Sequence, residues 1–270
     1  MQHPARPDGQ WPVDPRNLRD PENAPDWQRI ARQQDQRQWA PPAQPWLIRQ
    51  TWQDLLFAHW PISPAVLRPL IPAQLTLETF GGDAWVGVVP FDLSGLSVRR
   101  TPHRLRLAFP ELNVRTYVTT QDKPGVWFFS LDAASLLAVL GARVAFHLPY
   151  FWATVQMSEQ DGWIAYHSQR RGSGTARFAG RYRPTGPIFT STPESLERWL
   201  TARYCLYAAS RAGHILRAEI NHDPWPIQPA EAEIAENTMA SAQGIALSGS
   251  PILHFARRMD MVNWAPERVS

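Results

Sequence analysis

From Trp46 onward, Pro, Gly, Asn and Asp break the chain into short apolar runs, a punctuation that suits strands and leaves room for few long helices. Proline alone supplies 26 of the 270 residues, and inside a helix it removes a hydrogen bond and clashes with the preceding turn. The apolar share of 44% against 19% charged supports a sizeable core. That length and texture fit one large β-rich domain, and no internal repeat divides it.

Residues 1–45 differ. They hold nine prolines and eight glutamines, few aliphatics and no sustained period, so they read as a mobile arm with at most one surface helix. A partner-binding arm is the alternative. In residues 46–270, Leu55–Trp60 reads as a strand and Ser63–Leu70 as a short helix with Pro64 at its first position. Leu75–Phe80 and Ala84–Pro90 read as a hairpin across Gly81-Gly82-Asp83. Strands Leu112–Thr119 and Val126–Leu131 follow. A helix capped by Asp132 is expected to bury Leu136, Leu140 and Val144 and to end before Pro149. Phe151–Met157, Gly162–Gln169 and Thr175–Tyr182 form a predicted meander, and Thr192-Pro193-Glu194 opens another helix. Tyr204–Ala209 with His214–Asn221 makes a further hairpin, and Ile252–Asn263 is one long strand or a pair. The sum is about ten strands and two or three helices.

Basic and acidic residues number 27 and 24, and no polybasic tail accompanies the net charge of +3, so nucleic acid is not the expected partner. Of the 27 basic residues, 26 are arginine and one, Lys123, is lysine, so an amine nucleophile has a single candidate. One cysteine, Cys205, excludes an intramolecular disulfide. The N-terminus lacks the apolar run of a signal peptide and no stretch of 18 apolar residues exists, so no membrane partner is expected and the reading is cytoplasmic. The eight histidines show no metal-ligand spacing, so neither metal nor cofactor is expected. Arg170-Arg171-Gly172-Ser173-Gly174 reads as a turn rather than a phosphate loop, and Arg177, Arg181 and Arg183 as a solvated basic face.

The most unusual segment is Glu111–Val118. Alternate side chains of a strand share a face, so Glu111, Asn113, Arg115 and Tyr117 point one way and Leu112, Val114, Thr116 and Val118 the other. The next strand, Gly125–Asp132, is apolar on both faces, which buries its neighbour too. Unpaired buried polar groups cost ~1–3 kcal/mol each. The polar face is therefore either an internal Glu111–Arg115 ion pair or an anchor for a ligand.

Glu111–Val118, the run Pro124–Ala133, Ala142-Arg143 and Leu148-Pro149-Tyr150 together resemble the YqjF-like or DUF2071 family. Trp85–Phe91, Leu196–Tyr204 and His222-Asp223-Pro224-Trp225 extend the resemblance over about residues 46–268. The family is similar, distantly, to acetoacetate decarboxylase. That similarity implies a β-rich α+β fold, an antiparallel cone or barrel with an internal pocket. The decarboxylase forms its imine on a lysine after a Pro, where this chain has Tyr150 and Phe151 following Pro149. Lys123 is expected in an exposed hairpin turn, where a solvated amine stays protonated. Imine chemistry is thus expected to be lost.

Tyr150 is then either a hydrogen-bond donor or an aromatic plug, and Arg143 either a surface arginine or an anion clamp with Arg115. His222 lines a pocket or sits bonded to backbone. The expected function is binding of a small, anionic molecule at Glu111, Asn113, Arg115, Tyr117, Arg143, Tyr150 and His222. Any catalysis, on an organic acid or carbonyl compound, would be lyase-like or hydrolase-like without a catalytic lysine. The alternative is a structural or interaction protein with a silent pocket. Self-association stays open.

Overall fold

The computed structural model describes residues 25–100, 106–172 and 176–270. Residues 1–24 of the expected arm, the Ser173-Gly174 turn and Thr175 lie outside them. Four short helices occur among the described residues: α1 (Trp27–Arg32), α2 (Pro64–Leu67), α3 (Leu136–Ala145) and α4 (Leu196–Thr201). The strands are β1 (Ile48–Ile62), β2 (Thr76–Leu77), β3 (Ala84–Val98), β4 (Leu107–Thr120), β5 (Lys123–Ala133), β6 (Tyr150–Gln160) and β7 (Trp163–Arg170). They continue as β8 (Arg177–Pro184), β9 (Cys205–Ala209), β10 (Ile215–His222), β11 (Gln228–Asn237), β12 (Ile252–Asn263) and β13 (Glu267–Arg268).

Their pairing makes two rings that share a wall. One ring runs β12-β1-β3-β4-β5-β9-β10 and closes where β10 pairs with β12. The other runs from β5 through β6, β7, β8 and β11 back to β12. The shared wall β12-β1-β3-β4-β5 is buried on both faces, so its strands carry apolar side chains at consecutive positions. Leu55, Phe57, Val89, Phe91 and Met259 pack inside the first ring, while Leu56, Ala58, Val86, Val88 and Phe255 pack inside the second. Strand period places the β4 faces as expected: Leu112 and Val114 join the second core, and Glu111, Asn113 and Arg115 face the first.

Several local expectations are corrected. Residues 25–45 are docked, not mobile: Ile30 is buried, and Arg37, its side chain fully covered, pairs with Glu219 at 2.6 Å. Trp39 Nε1 donates to the same carboxylate at 2.8 Å. Phe80 and Asp83 do close a tight turn over Gly81 and Gly82, whose positive φ angles favour glycine. Thr76–Leu77, however, pairs with β4 instead of β3. Asp132 ends no strand and caps no helix; it stays in β5, bonded twice to Arg170 at 2.8 and 2.7 Å, and Ser135 caps α3. The stripe Leu136, Leu140 and Val144 faces solvent and Val139 is the buried residue of α3. A helix apolar on nearly every side gives its periodicity no unique inner face. Ser195, not Thr192, caps α4 through the Arg198 amide at 3.2 Å. β11 was not anticipated.

Candidate functional site

Inside the first ring lies a cavity of about 110 Å³. Strand β4 delivers three of its polar groups because Glu111, Asn113 and Arg115 sit two residues apart on the inward face. Tyr150 enters from the start of β6 and His222 from the end of β10. The rest of the lining is mostly apolar, including Val126, Phe128, Leu131 and Phe146.

Of the two alternatives for this face, the Glu111–Arg115 ion pair does not form. Tyr150 Oη instead donates to Glu111 Oε2 at 2.9 Å. Burial pushes the Glu111 carboxyl up to about 8, only partly opposed by the Tyr150 hydrogen bond. At neutral pH it is therefore mostly protonated. Burial and the neighbouring Glu111 likewise keep the Tyr150 phenol protonated. Arg115 makes no ion pair among the described residues, and its buried Nε has no hydrogen-bond partner there. Its guanidinium lies 5.4 Å from the Phe57 ring centroid. Asn113 is buried with both amide atoms unpartnered.

Two expected site residues fall elsewhere. Arg143 is on the exposed side of α3, where its Nε donates to the Tyr150 carbonyl at 2.7 Å, so it is no anion clamp in the cavity. Tyr117 is wholly buried just beyond the cavity wall, its hydroxyl 2.7 Å from His59 Nε2. His222 does line the cavity, with Nδ1 2.6 Å from the Asp223 carbonyl. Burial lowers it to about 4, so it is neutral. Lys123 is not in an open turn; its Nζ pairs with Glu219 at 2.8 Å, away from the cavity lining. The turn itself is Gln121-Asp122, both at positive φ.

Sequence reasoning missed His59 and Arg203. His59 shares a β1 face with Leu55 and Phe57, which the strand period alone could have shown. A Cβ on Gly87 would lie 3.0 Å from His59 Nε2 and 3.4 Å from Arg115 Cγ, so glycine makes room for both side chains. Arg203 lines the cavity after α4, pairs with Glu78 and lies 4.8 Å from the Tyr117 ring centroid. Nothing local in the sequence marks that role. Among the described residues no group of three or more His, Cys, Asp or Glu side chains could hold a metal, and no helix is long and apolar enough to cross a membrane.

The family model described as an uncharacterized conserved protein, DUF2071, matches residues 49–260. The uncharacterized protein YqjF of Bacillus subtilis is 48% identical over 221 residues, 81% of this chain and 91% of that one. Among solved structures, the enduracididine biosynthesis enzyme MppR complexed with pyruvate superposes with a TM-score of 0.60 at 11% identity, over 85% of this chain and 93% of that one. Acetoacetate decarboxylase from Legionella pneumophila superposes with a TM-score of 0.59 at 11% identity, over 92% and 97%. Those identities speak to the fold, which is acetoacetate-decarboxylase-like. By sequence, the chain belongs to the DUF2071 family.

Proposed function

We propose that the cavity binds a small organic acid with its carboxylate on Arg115, and that any chemistry there uses the Glu111–Tyr150 proton rather than a lysine imine. The observation that carries this reading is the Arg115 guanidinium, which has no carboxylate partner at the wall of a mostly apolar cavity. In a silent, packed remnant a buried guanidinium with no carboxylate partner is costly, and the Phe57 and Tyr117 rings beside it offset that cost only in part. A carboxylate matches the guanidinium fork, and Glu111, kept mostly protonated by burial, does not compete for it at neutral pH. The volume is below the roughly 150 Å³ of a cavity that takes benzene, so the acid is of pyruvate or butyrate size. Pyruvate in MppR, a protein of the same fold, is consistent with that size and charge.

The test is calorimetric titration of pyruvate, acetoacetate and butyrate into the full chain and into Arg115→Leu. At least one acid is expected to bind, and the variant to lose about tenfold or more in affinity. Its melting temperature should hold or rise, because an apolar side chain replaces an unpaired buried charge. Equal affinity in both proteins, or no saturable binding of any acid, refutes the reading.

A further inference from the structure

The amide of Asn113 is the second unsatisfied group on the same strand face, and it asks for something that a carboxylate cannot supply. It is 1% exposed, lines the cavity, and neither its Nδ2 nor its Oδ1 has a hydrogen-bond partner among the described residues. An asparagine amide presents two donors on nitrogen and an acceptor on oxygen. As the amide is placed, both halves are unpaired.

The nearby groups do not meet that demand. Tyr150 directs its hydroxyl proton to Glu111 at 2.9 Å. Arg115, two residues along the strand and about 7 Å away by Cα spacing, leaves Oδ1 unbonded. An ionised carboxylate or a ketone only accepts hydrogen bonds, so either could use Nδ2 and neither could serve Oδ1. An ammonium would donate, but it would place a second cation beside Arg115, which has no ion-pair partner among the described residues. A hydroxyl both donates and accepts, without charge.

We infer that the acid bound on Arg115 carries a hydroxyl group, placed within one or two carbons of the carboxylate and held by the buried amide of Asn113. This rests on the organic-acid reading above and names its substrate class: small hydroxy acids with a short alkyl remainder. The apolar walls from Val126, Phe128, Leu131 and Phe146 take that remainder. Because the hydroxyl sits on a stereocentre and the amide is fixed in a strand, the two enantiomers must bind unequally.

The experiment compares the two enantiomers of β-hydroxybutyrate with butyrate and acetoacetate, on the full chain and on Asn113→Leu, by calorimetry or ligand-observed NMR. In the parent protein one enantiomer is expected to bind at least about tenfold more tightly than butyrate, the worth of a well-made hydrogen bond to a buried group. Asn113→Leu should erase that advantage and the enantiomer preference, so that neither enantiomer binds the variant more tightly than butyrate does. The variant should melt no lower than the parent, since it removes an unpaired buried amide. Asn113→Ala, read in the same way, covers a Leu variant that fails to fold. Butyrate or acetoacetate binding as tightly as either enantiomer overturns the inference and leaves the Arg115 reading standing. An advantage that survives in both Asn113 variants also overturns it. Failure of all the acids to bind the parent protein sinks the Arg115 reading and this inference with it.

Discussion

Glu111 shows how a single carboxyl takes its chemistry from position. Its register on β4 follows from strand alternation, yet its partner, the Tyr150 hydroxyl, lies 39 residues further along the chain. The proton it holds has a measurable consequence. In the unfolded chain the carboxyl releases its proton near its ordinary 4.5, whereas in the fold burial keeps it until about 8. Between those values the native state binds more protons than the unfolded state, so stability falls as pH rises. Asp92, pushed up to about 7 by burial and by Asp54, acts in the same direction. Buried His222, lowered to about 4, opposes both below the ordinary histidine value of 6.5, because there the unfolded chain takes up the proton. The window from about 6.5 to 8 is therefore the cleanest. Chemical denaturation across it should show stability declining with pH in the parent protein, and a shallower decline in Glu111→Gln. An unchanged slope would mean that Glu111 is already ionised at neutral pH.

At the scale of elements, the segment before β1 is where composition misled. Proline, glutamine and arginine give residues 25–45 the texture of a solvated arm, but Arg37 and Trp39 meet Glu219 on β10, and Asn221 Nδ2 donates to the Ile30 carbonyl at 2.7 Å. These partners lie some 180 residues away, where no local pattern can announce them. Arginine is as good a partner for a buried carboxylate as it is a surface residue, and burial decides which role it takes. A chain starting at Trp46 loses two hydrogen bonds to the Glu219 carboxylate, each worth about 1.5–3 kcal/mol, while Lys123 and Arg217 stay beside that charge. Its thermal midpoint should fall by about 6 °C or more at a few degrees per kcal/mol, read by scanning calorimetry. A midpoint within a degree or two of the full chain's would show that α1 and its extension rest on the barrel without stabilising it. Helix α3 makes the converse point. Its Leu137 and Val144 are 73% and 79% exposed although nothing in their apolar character foretells it.

For the whole molecule, the two-ring topology separates the one lysine from the cavity. Ala218 and Ile220 pack into the cavity-side core, so the intervening Glu219 faces outward, and Lys123 is held to it there with its side chain 26% exposed. Borohydride trapping with acetoacetate, followed by intact mass, should leave the protein unmodified; a reduced adduct on Lys123 would show that the lysine reaches a carbonyl substrate. That Tyr150 and Phe151, and no lysine, follow Pro149 was legible in the sequence, since it is a matter of residue identity. So were the β-rich architecture, the hairpin of β9 and β10, and the inward face of β4, all of which follow from turn chemistry and a side-chain period of two. By itself the sequence determined which residues share a face. Only the tertiary structure decided what each face meets: that Glu111 pairs with Tyr150 and not with Arg115, that Arg143 lies outside, that His59 and Arg203 crowd Tyr117, and that residues 25–45 are docked. The reason is physical. Local backbone preference acts over a few residues, whereas burial and the pairing of charges depend on strands brought together only when both rings close.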